Sequence, residues 1–168
     1  MAVSSEKNEA ALQDALRLGM RRLASGVCVI STSVNGERYA MTASSVTSVS
    51  DDPASLLVCI NKSTAMQSVL NLGQPFVINI LAQSQQDVSN NCASRSEGVG
   101  RFDLGDWQVD ASGMPYLADA QVNFFCKVDN EDYIYGTHQI VIGLLENVIV
   151  SSDPVDPLIY VNGAYAAI

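Results

Sequence analysis

Histidine occurs once in the 168 residues, tryptophan once, and cysteine four times with no two close together. The single His138 and the dispersed Cys28, Cys59, Cys92 and Cys126 make no CxxC pair and no Cys/His cluster of ligand spacing, so no metal site is expected. Three of the four thiols sit in apolar, strand-like runs and read as small buried groups in a reducing compartment. Base is also scarce: nine Lys and Arg against eighteen Asp and Glu give a net charge of −9, which disfavours a nucleic-acid partner. Apolar runs such as VCVI and LLVCI fall far short of the roughly 20 residues that span a bilayer. The opening MAVSSEKNEA lacks a basic start followed by an apolar block. A soluble cytoplasmic protein is therefore expected, with no membrane partner. No GxGxxG follows a strand, no GxxxxGK[ST] is present, and no GxSxG elbow accompanies the one histidine. These absences remove the Rossmann and P-loop nucleotide sites and leave little for triad hydrolysis.

What is present is strand signal. Residues 8 to 24 place Leu12, Leu16, Met20 and Leu23 at helical spacing, which predicts an amphipathic helix packed on the domain. GVCVISTSV and RYAMTASSVTSVS flank Asn35-Gly36, a strong hairpin signal because both residues tolerate positive φ. The two runs, Val27 to Val34 and Arg38 to Val49, are expected to pair. ASLLVCI reads as a strand, STAMQSVLNLG as a short helix with a hydroxyl cap ending at Gly73, and PFVINIL as a buried strand. SQQDVSNNCAS predicts another short helix, RSEGVGRFDLGDWQVDASGMP a Gly-rich loop, and residues 120 to 152 two long strands broken at Gly136 and Thr137. Many short strands with few helices predict a mainly β fold, a closed or nearly closed barrel. No repeat or composition shift divides the chain, so residues 1–168 are expected to form one domain, with 1–10 as a flexible N-terminus.

Two stretches carry candidate chemistry. Thr42, Ala43, Ser44 and Ser45, beside Met41, form a row of small side chains that let a flat ligand reach backbone amides and hydroxyls; a solvent-facing strand edge rich in Ser and Thr has the same composition. CINKST lies just past a strand and opens a helix. Its Lys62, Ser63 and Thr64 suit a phosphate, or equally an ordinary cap beside an exposed lysine. Together they suggest a nucleotide whose ring and phosphate lie on neighbouring strands.

In order and separation, SGVCVIST, MTASSVTSVSDDPASLLVCINKST, FVINIL, GRF, YGTH and LIYVNGAY resemble the short-chain flavin reductases, which have an FMN-binding split-barrel fold and supply reduced flavin to two-component monooxygenases. The resemblance runs from about Leu16 to Tyr165. It implies that Met41 to Ser45 contact the isoalloxazine edge, and that Asn61, Lys62, Ser63 and Thr64, with Cys59 and Ile60 leading in, hold ribityl and phosphate groups. It implies further that Arg95 nears the phosphate, that Phe102 nears the flavin, and that Tyr165 lies over the same cavity. The family's Gly-Asp-His near the nicotinamide appears here as Gly136, Thr137 and His138, with His138 as the candidate catalytic residue and a hydroxyl where the family has a carboxylate.

The resemblance implies an NAD(P)H:flavin oxidoreductase that uses FMN or FAD with NADH or NADPH, a monooxygenase acceptor of reduced flavin, and a homodimer. Hydride transfer between two reactive cofactors asks for stacking and orientation rather than a conspicuous acid/base pair. A non-catalytic flavin carrier, or an enzyme oxidising a small substrate through tightly held FMN, stays open on the same residues.

Overall fold

The computed structural model of the chain describes the backbone of residues 2–93 and 99–167, and the side chains of 8–93 and 100–167. It begins with helix α1, Ala2–Met20, and a short strand β1, Ser25–Gly26. The expected hairpin follows as β2, Cys28–Val34, and β3, Glu37–Ala43, turning at Asn35 and Gly36 with φ of 52° and 81°. β4, Val46–Asp51, and β5, Ala54–Asn61, form a second hairpin, and helix α2 spans Ala65–Val69. Next come β6, Pro75–Ile80, a 3-10 turn at Gln83–Gln85 and helix α3, Gln86–Ala93. A second 3-10 turn, Val99–Phe102, leads to a small hairpin of β7, Trp107–Val109, and β8, Pro115–Leu117. The chain closes with β9, Val122–Val128, β10, Tyr133–Tyr135, the long β11, His138–Val150, β12, Ile159–Val161, and β13, Ala164–Ala166.

The main sheet runs β3-β2-β6-β9-β11-β5-β4, every neighbour antiparallel, with β10 added beside β11. Its two ends, β3 and β4, are one continuous stretch interrupted only at Ser44 and Ser45. The sheet therefore returns to the segment it started from, and the fold is a barrel split at that two-residue joint. There Cys59 N–H donates to the Ser45 carbonyl at 3.4 Å, and Ser45 Oγ donates to the Cys59 carbonyl at 3.2 Å. The single strand expected over Arg38 to Val49 is thus two strands on opposite margins of the sheet. The run of small hydroxyl residues sits where the backbone must change partners, a place where β-branched core residues would be hard to pack.

Inside the barrel, alternate residues of each strand converge: Ile30, Met41, Ala43, Val58, Ile60, Phe76, Ile78 and Val141 form one buried cluster, joined by Met66 of α2 and by Leu70 just past its end. Gly143 on β11 leaves room for the Phe76 ring; a Cβ there would meet Phe76 Cζ at 2.6 Å and Cys126 Cβ at 3.0 Å. A second cluster of Val29, Ala40, Leu81, Val88, Cys92 and Leu117 lies under α3. Between the layers, fully buried Asn79 donates to the Val29 carbonyl at 2.8 Å and accepts from Leu117 N–H and Asn123 Nδ2, both at 2.9 Å, which ties β8 to the sheet.

Two expectations about helices need correction. α2 ends at Val69 rather than running to Gly73, because Leu70 turns fully inward and Gly73, at φ 84°, donates its N–H to Val128 on β9 at 2.8 Å instead of closing the helix. α1 reaches back to Ala2, and its apolar face does not pack on the domain: Leu12 is 71% exposed and Leu16 63%. Spacing shows which side of a helix is apolar but not what covers it. No helix among the described residues is long and apolar enough to cross a membrane.

Candidate functional site

The outer end of β3 faces the start of α2 and the end of α3 across a cavity of about 630 Å³, within the range of small-molecule and cofactor sites. Ala40, Met41 and Thr42 line it from the strand, Ser63, Thr64 and Met66 from the start of α2, and Cys92 from α3. Arg38 and Arg101 supply its positive charge, with Glu37 and Tyr39 beside them. Glu37, hydrogen-bonded to Tyr39, raises the phenol's pKa. Burial pushes the Cys92 thiol up to about 11 although Arg101 acts to lower it, so Cys92 is a neutral wall rather than a nucleophile.

Four of the residues singled out from sequence meet in this cavity: Met41, Thr42, Ser63 and Thr64. Thr42 Oγ1 donates to the Ser89 carbonyl at 2.6 Å, fixing β3 against α3. The others stand apart from it. Ala43 turns into the barrel core and Ile60 is fully buried, so only their main chains can reach a ligand, whereas Ser44 and Ser45 are exposed at the joint. Cys59 is half-buried and paired across the same joint. Tyr165 stands behind the cavity wall; its hydroxyl bonds Ser89 Oγ at 2.8 Å and donates to Asn90 Oδ1 at 3.1 Å. Phe102 is gripped by Trp107, centroids 4.6 Å apart, and by the Arg38 guanidinium 4.2 Å above its ring. Arg95 lies outside the described residues.

The segment after β5 differs from a ready phosphate seat. Lys62 N–H donates to the Thr137 carbonyl at 3.0 Å, Ser63 N–H to Asn61 Oδ1 at 2.9 Å, and Thr64 N–H to the Asn61 carbonyl at 3.1 Å. The hydroxyls follow suit, Ser63 Oγ donating to Asn61 Oδ1 at 2.9 Å and Thr64 Oγ1 to the Asn61 carbonyl at 2.7 Å. Thr64 therefore precedes the helix without capping it through its side chain. Asn61 holds as acceptor what an anionic oxygen would take.

His138 lies outside the cavity lining, yet the fold brings it to the same end of the barrel. It opens β11 opposite Asn61 on β5 and Tyr135 on β10. Its Nδ1 is 2.9 Å from Thr137 Oγ1, so the hydroxyl that stands where a carboxylate was expected does contact the ring. Sequence reasoning missed Arg101, which donates through Nη1 to the Ala40 carbonyl and so pins the 3-10 turn to the cavity's strand. The signal was at hand: GRF sets Arg101 directly before the Phe102 that was singled out.

The cavity, its main-chain wall and the two arginines give a small-residue shelf with a cationic rim, in a strand order that closes on its own joint. Residues 20–168 match the flavin reductase like domain. The chain belongs to that family. It is 38% identical over 137 residues to the FMN reductase (NADH) RutF of Pantoea ananatis, spanning 82% of this chain and 72% of that one. With the reductase component of an FADH2-dependent resorcinol hydroxylase from Rhizobium sp. it shares 35% identity over 153 residues, 90% of this chain and 84% of the relative. In three dimensions it is similar to the NADH:FAD oxidoreductase SgcE6 of Streptomyces globisporus, solved with NAD and FAD fragments, at a TM-score of 0.83 and 26% identity over 93% of this chain and 92% of that one. The mainly β split-barrel architecture of this flavin reductase family member agrees with the fold read from its motifs.

Proposed function

We infer that this protein is an NAD(P)H-dependent flavin reductase that passes reduced flavin to a partner monooxygenase. The observation that carries this reading is the roughly 630 Å³ cavity between the Ala40–Thr42 main chain and the start of α2, in a chain matched to the flavin reductase like domain over residues 20–168. The fit to a phosphate-bearing flavin is chemical. Ala40 to Thr42 offer their backbone, and Ala40 and Thr42 short side chains, to a planar edge, while Ser63, Thr64, Arg38 and Arg101 offer hydroxyls and positive charge to a phosphate in a protein of net charge −9. When both are bound, the flavin accepts hydride at N5 from C4 of the dihydronicotinamide, a reactivity the cofactors bring themselves. The chain's contribution is to stack, orient and shield them. For a phosphate to use Ser63, its N–H and hydroxyl must exchange Asn61 Oδ1 for the ligand oxygen. Phe102, fixed between Trp107 and Arg38, buttresses the rim rather than lining it, and Tyr165 supports the opposite wall through Ser89.

Assembly as a homodimer in the cytoplasm is part of this proposal. The uncovered α1 leucines, together with exposed Val148, Ile149 and Val150 on β11, favour a partner surface. The activity test is direct: purified protein is mixed with NADH and increasing FMN or FAD while the nicotinamide absorbance band is followed. Consumption that rises with free flavin is the expected result. Flavin retained without NADH oxidation would favour a carrier instead, and turnover only with an added organic substrate would favour an oxidase with bound FMN.

A further inference from the structure

β11 runs on past the strand that flanks it. Its pairing with β5 ends at Leu144 opposite Ser55, while its pairing with β9 continues to Val150. Among the described residues no strand pairs with residues 145–150 on the β5 side. Which main-chain groups face that open side follows from the ladder. Ser151 N–H donates to the Gln121 carbonyl at 2.9 Å in the register that sets Ile149 opposite Asn123, and antiparallel pairs alternate between bonded and unbonded. Ile149 therefore turns its N–H and C=O toward β9, and Val148 and Val150 turn theirs outward. The side chains are uncovered too: Val148 is 36% exposed, Ile149 43% and Val150 68%. No lysine, proline or glycine guards the run, and the bulge lies before it, between Leu145 and Asn147. A bare β-branched edge of this kind pairs with another strand unless something blocks it.

Charge selects the partner. Residues 147–152, NVIVSS, carry no charge in a chain of net charge −9. An uncharged strip offers nothing to a basic partner, but it is where two copies of an acidic chain approach at least cost. We propose that this edge pairs antiparallel with itself in a second copy, Ile149 lying on the two-fold axis and each Val148 opposite the other copy's Val150. This deepens the homodimer part of the functional reading and rests on it, without depending on flavin chemistry. Outward-facing Val148 meets outward-facing Val150, so each such pair exchanges both main-chain bonds, and the Ile149 side chains meet at the unbonded position between them. Moving the axis to Val148 would set Ile149 against Asn147 and Val150 against Glu146; moving it to Val150 would carry Val148 past the strand's end. The contact is isologous, so it closes on two copies. Val148–Val150 alone bury too little for a stable dimer; the seam sets the register, and other apolar surface such as the uncovered α1 leucines completes the contact.

Engineered cysteines and amide exchange test the register. Across an unbonded antiparallel pair the Cα atoms stand about 4.5 Å apart, within disulfide reach. Ile149→Cys under mild oxidation is expected to give a covalent dimer on a non-reducing gel. Asn147→Cys, set opposite Ser151 of the other copy, and the wild type, three of whose four thiols are buried, should not. The Val148 and Val150 amides should exchange with deuterium at least about tenfold more slowly in the wild type than in Ile149→Lys, where like charges would face each other across the axis. A dimer by light scattering in which Ile149→Cys stays uncrosslinked, or in which Ile149→Lys leaves those amides equally protected, overturns this seam and leaves the homodimer reading to another face. A monomer at every concentration overturns both. Neither result bears on NADH oxidation, which the flavin titration reads by itself.

Discussion

Gly143 shows how far one missing side chain reaches. The Phe76 ring lies across it from β6, and any Cβ at 143 would sit 2.6 Å from the ring edge with Cys126 only 3.0 Å away. Gly143→Ala is expected to lower stability by about 1–3 kcal/mol through overpacking, read from the urea midpoint, and pairing it with Phe76→Leu should recover part of the loss. Residues of this kind were not legible in the sequence, where Gly143 is one glycine in an apolar run. At the site, chemistry was more legible than direction. Thr42, Ser63 and Thr64 were singled out by residue type and do line the cavity, whereas Ala43 and Ile60 come from the same motifs yet face the core. A two-residue period tells which neighbours share a face, but without a register it cannot say which face meets the ligand.

Among the elements, the β2–β3 hairpin was the most legible, since Asn35-Gly36 both announces the turn and fixes its register. The β3–β4 break was the least, because Ser44 and Ser45 carry no breaker signal and only the partner strands reveal it. α1 sits between these cases: its period was right and its packing was not. Leu12 and Leu16 remain uncovered within the chain, so the homodimer proposal predicts that Leu12→Glu combined with Leu16→Glu halves the mass seen by light scattering while the barrel's unfolding midpoint, measured at low concentration, hardly moves. An unchanged mass would assign these leucines no part in assembly.

For the molecule as a whole, buried thiols set an alkaline limit. Burial pushes Cys28 and Cys126 up to about 12 and Cys92 to about 11, against 9.0 for an unburied thiol. All three stay protonated in both states below pH 9.0; above it the unfolded chain sheds protons first, so stability falls as pH rises. Each thiol adds a slope of up to about 1.4 kcal/mol per pH unit in that window. Urea midpoints measured on either side of pH 9.0 should show this fall, and Cys28→Ala should make it shallower.

The joint at Ser44 and Ser45 has a consequence for integrity. One covalent link there serves as the hoop that keeps a rolled surface rolled, since the only strand paired with β3 is β2 and the only strand paired with β4 is β5. A protease that severed it would remove no native ladder, yet the cut chain would gain two unprotected margins able to recruit other molecules. Nicked protein is therefore expected to clump long before it melts.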